Sequence, residues 1–270
     1  RAAVAVPSPK VIVTALGVTQ ILAWGSSYYL LAVLAKPIAA DTGWSLTWIV
    51  AGLSLGLLIA GLVSPLVGRQ IHRRGGRPVL ATSAAMLGIG LLGLALAPNL
   101  AVFIAAWIAI GIGMGAGLYD AAFSTLGRLY GQRARHYITT LTLFGGLAST
   151  ACWPLSAFLV TELGWRGACA TYAAIHLLFS LPVYLLLISD RHAPSWAADT
   201  GSGERHRAQT PGRLRAIFLL LALAIMIGSA LTTVISVHLL TMLQARGIAL
   251  GTAVALGAMV GPAQVVARFI

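Results

Sequence analysis

The sequence predicts an all-α polytopic membrane protein with eight transmembrane helices. Two observations of composition support this prediction: 59% of the 270 residues are hydrophobic and only 9% are charged, and the mean hydropathy is +0.90. An ordinary soluble domain carries about 25% charged residues, and a globule of this length cannot bury so much apolar surface. The third observation is that none of the long apolar runs alternates between apolar and polar residues, which excludes a membrane β-barrel.

Apart from Asp120 in the fourth, each predicted span is an uncharged run of roughly the 20 residues that a helix needs to cross a bilayer core. The eight spans cover residues 11–35, 46–67, two parts of 78–127, 137–160, 167–189, 216–243 and 247–267. Residues 78–119 carry no charge and are too long for one helix, so we place the boundary between the third and fourth spans at Ala97-Pro98-Asn99. The first run is too long for a cleaved signal peptide, and further spans follow it.

Basic residues lie predominantly on one side of the predicted membrane. Alternating spans place 15 of the 18 Lys and Arg residues on the side of the N-terminus, and the other side holds Lys36, Arg166 and Arg246. Because basic loops stay cytoplasmic, the N-terminus and residues 190–213 are predicted to be cytoplasmic in a multi-pass protein of the plasma membrane. The formal net charge of +12 then reflects this topology and contact with the lipid bilayer, so no nucleic-acid partner is expected.

The polar stretch 190–213 divides the chain into two unequal parts. It contains Gly, Ser and Pro and is the only long linker, so we interpret it as a cytosolic tether. It joins a six-helix bundle, residues 11–189, to the two helices of residues 214–270. Cys152 and Cys169 both lie in apolar runs, which indicates packing residues and excludes a disulfide framework of the small secreted kind.

A ten-residue loop between the second and third spans carries a recognisable motif. Residues 68–77 read GRQIHRRGGR. This loop resembles the signature loop of the major facilitator superfamily, in which Gly is followed after three residues by Asp, a basic residue, any residue, Gly and two basic positions. Four positions match that pattern: Gly68, Arg73, Gly75 and Arg77. The Asp position holds His72, and the first of the two closing basic positions holds Gly76.

The resemblance implies an MFS-type helix bundle with two six-helix halves. This chain would hold the first half and the first two helices of the second, eight of an expected twelve. The implied activity is secondary transport by alternating access, in which the halves rock about a site near the midplane. In the family the signature loop steadies the outward-open state by bridging the halves. With His72 in place of Asp, either that network is weaker or it is pH-sensitive, unless His72 is simply a solvated loop histidine.

Two further family patterns concern the substrate. In proton-driven drug exporters the fourth span resembles Arg, three residues, Gly, any residue, Gly; here Gly111 and Gly113 match, but Trp107 takes the arginine position. Their fifth span carries a Gly-Pro pair, where this chain has Gly145-Gly146 and later Trp153-Pro154, so a proton/drug antiporter is disfavoured. Residues 43–45, Gly-Trp-Ser, and the surroundings of His238 look more like the monocarboxylate and oxalate/formate branch. We therefore expect proton-coupled transport of a small organic anion. The alternatives are an exporter of hydrophobic or cationic compounds and a non-transporting membrane scaffold.

Few ionisable residues lie within the spans, and two are candidates for coupling or gating. Asp120 is the only acid in a span, about two helical turns from Arg128 at the cytoplasmic interface. Buried alone it would carry a proton, whereas pairing with an arginine of the 68–77 loop would make it a gate latch. His238, near the outer end of the seventh span, either binds an anion when protonated or packs with one hydrogen bond. Packing is the stronger expectation for His176.

Amide and aromatic side chains predict the wall of a substrate cavity. Gln20, Trp24 and Tyr28 recur every four residues in the first span and therefore share one helix face. In the superfamily the first and fifth spans line the central cavity, so the resemblance places this face, and Trp153 beside Pro154, around a small-molecule substrate. Helix packing would explain the same residues. The glycines of the second and fourth spans are interpreted as surfaces for close helix packing.

No enzymatic chemistry, cofactor or metal is predicted. The sequence has no Gly-rich nucleotide-binding loop, no metal-ligand spacing of Cys and His, and no Ser-His-Asp arrangement at one membrane depth. The expected partners are a small-molecule substrate, protons and the bilayer, and the expected oligomeric state is a monomer.

Overall fold

The computed structural model describes residues 8–188 and 212–267, apart from the side chains of 212–215. Almost all of these residues are helical, and no strand occurs among them, which confirms the predicted all-α fold. In the first described range the helices are α1 (Pro9–Ser26), α2 (Leu30–Thr42), α3 (Leu46–Arg74), α4 (Gly76–Ala95), α5 (Leu100–Gly117), α6 (Tyr119–Tyr130), α7 (Ala134–Gly146), α8 (Ala148–Ile175) and α9 (Leu181–Leu187). In the second they are α10 (Gly212–Ala245), α11 (Leu250–Ala258) and α12 (Val260–Val266). The predicted linker, residues 190–213, lies outside the described residues except for the backbone of its last two positions.

Long apolar helices confirm the membrane character of the chain. Within the described ranges, five helical stretches are long and apolar enough to cross a bilayer, and one of them, Leu100–Leu187, runs for 88 residues. Because one crossing needs about 20 helical residues, this stretch has to cross more than once. Two glycines with positive φ interrupt it, Gly131 at +53° and Gly164 at +69°. They divide the stretch into the predicted spans four, five and six.

Hydrogen bonds show that the chain turns back at both glycines. Tyr119 of α6 donates to the carbonyl oxygen of Thr142 of α7 at 3.3 Å, across the turn at Gly131. The hydroxyl oxygens of Ser156 and Tyr172, before and after Gly164 in α8, lie 2.8 Å apart. Antiparallel neighbours bring together residues that are about equally far before and after a turn. The element α8 therefore contains the end of one span and the start of the next.

The helix junctions define two ends of the bundle. We call the basic end the one with the start of α1, the α3–α4 junction, the α6–α7 junction and the start of α10. We call the other the opposite end. Arginines of the described residues cluster at the basic end: Arg69, Arg73, Arg74, Arg77, Arg128, Arg133 and Arg135. The opposite end carries charges of both signs: Lys36, Asp41, Glu162, Arg166 and Arg246.

Glycines join α3 to α5 at a close approach of the two helix backbones. A Cβ atom on Gly111 would lie 2.6 Å from the carbonyl oxygen of Gly56, so the two helix backbones touch directly. Trp107 is fully buried beside this contact and packs on Gly52 and Gly56. These contacts confirm the prediction that the glycines are packing surfaces. They also place Trp107, the residue at the exporter arginine position, inside a helix interface.

The second described range packs on the first through α2 and α8. Pro262 of α12 has no N–H, so the carbonyl oxygen of Ala258, four residues earlier, receives no helical hydrogen bond from it. The hydroxyl of Thr150 in α8 donates to this oxygen at 2.6 Å. Gly261 lies against the same threonine and the carbonyl oxygen of Gly146. A proline-released carbonyl and a small-residue contact thus join the fifth and eighth spans.

Candidate functional site

The acidic residue of the fourth span lies where its helix is interrupted. α5 ends at Gly117, α6 begins at Tyr119, and the extended residue Leu118 separates them. Asp120 therefore lies in the first turn of α6, where the helix dipole favours a negative charge. Gln20 of α1 donates from Nε2 to the carbonyl oxygen of Gly117 at 2.5 Å. This hydrogen bond supports the interruption from the neighbouring helix.

A cavity of about 580 Å³ lies beside this interruption, between α1, α3 and the α5–α6 junction. Its walls are formed by Trp24, Ala60, Gly61, Ser64, Pro65, Met114, Gly115, Leu118, Tyr119 and Asp120. Most of these side chains are apolar, small or aromatic. Asp120 supplies the one carboxylate among the described residues of the wall, and no Lys, Arg or His of that part of the chain lines it.

Two polar groups of this wall have no hydrogen-bond partner among the described residues. Within the described ranges, the exposed carboxylate of Asp120 makes no hydrogen bond or ion pair. The buried indole N–H of Trp24 also has no acceptor there. The Trp24 ring lies 5.0 Å from the Tyr119 ring, which stacks on Phe123 at 5.0 Å. Because aromatic faces attract cations, a carboxylate beside them forms a site suited to a proton or an organic cation.

Of the four side chains predicted to line the cavity, the structure places Trp24 on its wall. Gln20 is buried at the helix interruption, and Tyr28 donates to Oγ1 of Thr233 in α10 at 2.9 Å. Trp153 is 1% exposed and donates from Nε1 to a backbone oxygen of the first span at 3.3 Å. These three side chains make contacts between helices beside the cavity and do not line it.

Both histidines considered in spans six and seven lie away from the cavity wall. His238 is exposed on α10 and is not one of the lining residues. His176 is buried, and its Nε2 lies 2.7 Å from the hydroxyl oxygen of Ser26. The structure therefore brings Asp120 together with Trp24 but not with His238, and the arrangement at His176 fits packing with one hydrogen bond.

A comparison with protein families agrees with the helix arrangement. A sequence profile of the Major Facilitator Superfamily matches residues 16–270. The chain belongs to this superfamily. Its long apolar helices are thus those of a membrane transporter family.

Two curated relatives are similar over part of their length. A protein of Thermoproteus tenax named "Uncharacterized 38 kDa protein in 23S RNA operon" is 29% identical over 168 residues, which cover 62% of this chain and 44% of the relative. A Pseudomonas aeruginosa protein named "Transcription regulatory protein OpdE" is 29% identical over 199 residues, which cover 73% of this chain and 46% of the relative. The chain spans about half the length of the curated relatives it matches.

The signature loop of the superfamily is largely helical in this chain. Residues 68–74 extend α3 by about two turns beyond the apolar run, so Gly68 lies inside a helix. The chain then reverses at Gly75, whose φ of +89° favours glycine and whose N–H donates to the carbonyl oxygen of Ile71 at 3.0 Å. Arg73 is exposed at this turn, and Arg77 is half-buried in the first turn of α4.

The two departures from the superfamily motif have different surroundings. The side chain at the Asp position, His72, is exposed, while its backbone oxygen accepts a hydrogen bond from Arg128 of α6. Gly76, at a basic position of the motif, lies so close to Thr125 of α6 that a Cβ atom would overlap the threonine hydroxyl. Glycine at this position therefore allows α4 to approach α6. The sequence motif alone indicated only that a basic residue was missing.

Several wall residues were not identified from the sequence. Ala60, Gly61, Ser64 and Pro65 of α3 line the cavity and recur at the spacing of one helix face. Their small side chains leave the space that the cavity occupies. A run of small residues at this spacing, continuing along α3 from the row of Gly52 and Gly56, is the signal that could have located them.

Proposed function

We propose that this superfamily member exchanges protons for lipophilic organic cations by alternating access, with Asp120 as the shared binding group. The main support is the Asp120 carboxylate, which lies on an aromatic cavity wall without a hydrogen bond or ion pair from the described residues. A charged group at bilayer depth costs about 2.5–3.5 kcal/mol on insertion scales, so an acid in such a position indicates a functional site.

The cavity supports competition between a proton and a cation at one group. The ionised carboxylate attracts an organic cation, whose apolar parts contact Trp24, Met114 and Leu118. Protonation of Asp120 removes that attraction and releases the cation. Because one carboxyl group serves both ligands, binding of either excludes the other. This exclusion is the coupling that an exchanger requires.

Contacts of α10 support a state that is closed at the opposite end. Val237 and Leu240 are buried against the first bundle, and Tyr28 binds Thr233 nearby. Closure at the opposite end fits one state of alternating access, and the reverse state requires these contacts to separate.

Proton-coupled transport of a small organic anion, the expectation from the sequence, is the second candidate. Its support is the likeness of residues 43–45 and of the His238 region to the monocarboxylate branch. The described wall offers an anion no basic side chain, and an ionised Asp120 would repel it. Trp107 does not weigh against a cation, because it is buried between α3 and α5 and does not line the cavity.

Proton flux in proteoliposomes of the complete natural protein distinguishes these candidates. With an acidic lumen, ethidium added outside should drive protons out, and formate or oxalate should have no effect. Asp120→Asn should abolish the ethidium response, while Asp120→Glu should keep part of it. Glu162→Gln is the matched control because it removes an exposed carboxylate outside the cavity, and it should leave the response unchanged.

The other outcomes contradict the proposal in distinct ways. Proton entry driven by formate or oxalate would replace it with anion symport. An ethidium response that survives in Asp120→Asn would remove Asp120 from the coupling step. No flux with any probe would favour a non-transporting role for this protein; the Pseudomonas aeruginosa relative is named a transcription regulatory protein.

A further inference from the structure

A second groove lies at the basic end, on the other side of α3 from the transport cavity. It has a volume of about 260 Å³ and lies between α3, the start of α4 and α5. Its apolar walls come from Val63, Leu66, Val67, Val79, Ile112 and Ala116. Its more polar lining comes from Gln70, Arg74, Pro78 and Thr82. None of these residues lines the cavity that contains Asp120.

The lining changes from apolar to basic along the length of α3. Val63 lies deepest in the membrane and Arg74 lies at the last residue of the helix, eleven residues later. This separation corresponds to about 16 Å along a helix axis. One leaflet of the hydrocarbon core is about 15 Å thick, half of the full core. The groove therefore matches the depth and polarity of a single phospholipid chain with its headgroup at the basic end.

The charge at the mouth of the groove is unbalanced. Arg74 is exposed, and its guanidinium makes no hydrogen bond or ion pair with the described residues. Three carboxylates occur in the described ranges, Asp41, Asp120 and Glu162, and none of them lines this groove. An arginine at a membrane surface without a protein carboxylate is suited to a phosphate group.

We propose that this groove binds an anionic phospholipid from the leaflet at the basic end. One acyl chain lies between α3, α4 and α5, and the lipid phosphate accepts hydrogen bonds from Arg74. The side chain of Gln70, exposed on the same helix, is positioned to donate to the headgroup. A bilayer lipid is the natural occupant, because Leu66 on the groove wall is 54% exposed on the surface of a membrane helix.

The charge requirement is tested by lipid binding to the purified complete protein. Native mass spectrometry compares retention of phosphatidylglycerol and phosphatidylcholine with the same acyl chains, without any transport substrate. Phosphatidylglycerol should be retained more strongly, and Arg74→Gln should weaken its retention about tenfold. Arg69→Gln is the matched control, because it removes the same charge from the same exposed end of α3 but does not line the groove. Equal losses in the two variants would show only diffuse attraction and would overturn the proposal.

The acyl-chain requirement is tested by a second pair of variants. Leu66→Trp places a large ring on the groove wall, and Leu62→Trp places the same ring one turn away on a residue that is 65% exposed and does not line the groove. Leu66→Trp should reduce retention of phosphatidylglycerol, and Leu62→Trp should not. Equal retention in both would overturn the assignment of the chain to this groove. Asp120→Asn should leave lipid retention unchanged, so failure here is separable from failure of the transport proposal.

Discussion

The two ends of the bundle are held by different kinds of contact. At the opposite end, side chains pair across helices: Trp165 and Arg166 both donate to the carboxylate of Asp41, and Lys36 donates to Gln244 at 2.5 Å. Glycines with positive φ turn the chain at both ends, so the difference lies in the polar contacts. At the basic end, Arg128 donates to the backbone oxygen of His72. The contacts of the opposite end thus join pairs of side chains, whereas this contact joins a side chain to the backbone of the α3–α4 junction.

This difference indicates which end is free to open. Exposed polar pairs contribute little, and water can replace each of them separately. Of these pairs, Lys36 with Gln244 joins the first bundle to α10, so this polar contact can separate at small cost. By contrast, the α3–α4 junction cannot change without altering the turn at Gly75 and the contact of Gly76 with Thr125. We infer that α3, α4 and α6 move as one unit at the basic end.

The largest effect is expected from breaking the rigid junction itself. In Gly76→Ala the new methyl group overlaps the Thr125 hydroxyl, so the variant should lose about 1–3 kcal/mol of stability. Gly68→Ala is the control, because it adds the same methyl group in open space within α3 and should gain about 0.5–1 kcal/mol. Thermal unfolding in detergent measures both. Equal melting temperatures would mean that this junction is not the rigid element.

A smaller effect is expected from breaking the contact between the first span and α10. Tyr28→Phe and Thr233→Val each remove one partner of the same hydrogen bond, so a double-mutant cycle should give a coupling of about 0.5–1.5 kcal/mol. Thr232→Val is the control, since that hydroxyl donates to the carbonyl oxygen of Gly228 within its own helix. Zero coupling between Tyr28 and Thr233 would contradict a closed opposite end.

The smallest effect is expected at the exposed carboxylate of the opposite end, beyond the apolar part of the first span. The hydrogen bond from Trp165, and then that from Arg166, lower the pKa of Asp41 below its ordinary value. A carboxyl group whose pKa is lowered by folding stabilises the protein above its unfolded pKa, and this contribution is lost as the pH falls through the lowered pKa. Melting temperatures across acidic pH should therefore fall more steeply for the natural protein than for Asp41→Asn.

The control for this titration is Glu162→Gln, which changes another exposed carboxylate of the opposite end. It should leave the slope of melting temperature against pH unchanged. A natural protein and an Asp41→Asn variant with parallel pH profiles would show that these contacts do not hold the opposite end at all.

Hydropathy predicted the membrane helices because every span needs about 20 apolar residues to cross the bilayer core. It did not predict the interruption at Leu118, since one extended residue leaves the apolar composition unchanged. It also did not predict that α3 continues to Arg74, because polar residues continue a helix without contributing to the apolar signal. The turns at Gly131 and Gly164 could be predicted from the sequence, because both glycines lie in polar segments between predicted spans.

The site was predictable only in part, for a reason that the first span illustrates. Trp24 and Tyr28 lie one turn apart on the same predicted face, yet Trp24 lines the cavity and Tyr28 binds α10. The face of a helix tells in which direction a side chain points. It does not tell whether that side chain contacts another helix or a cavity at its depth in the membrane. Trp153 shows the same ambiguity, because a buried aromatic ring beside a proline suits a helix interface as well as a cavity wall.

The pairing of Thr150 with the oxygen released by Pro262 has a consequence for biosynthesis. Without that hydroxyl, the carbonyl of Ala258 would be left unpaired in hydrocarbon, where an unsatisfied backbone group costs several kcal/mol. Its partner lies 108 residues earlier and so emerges first from the ribosome. The last backbone hydrogen bond of the eighth span is therefore completed by a span that is made before it.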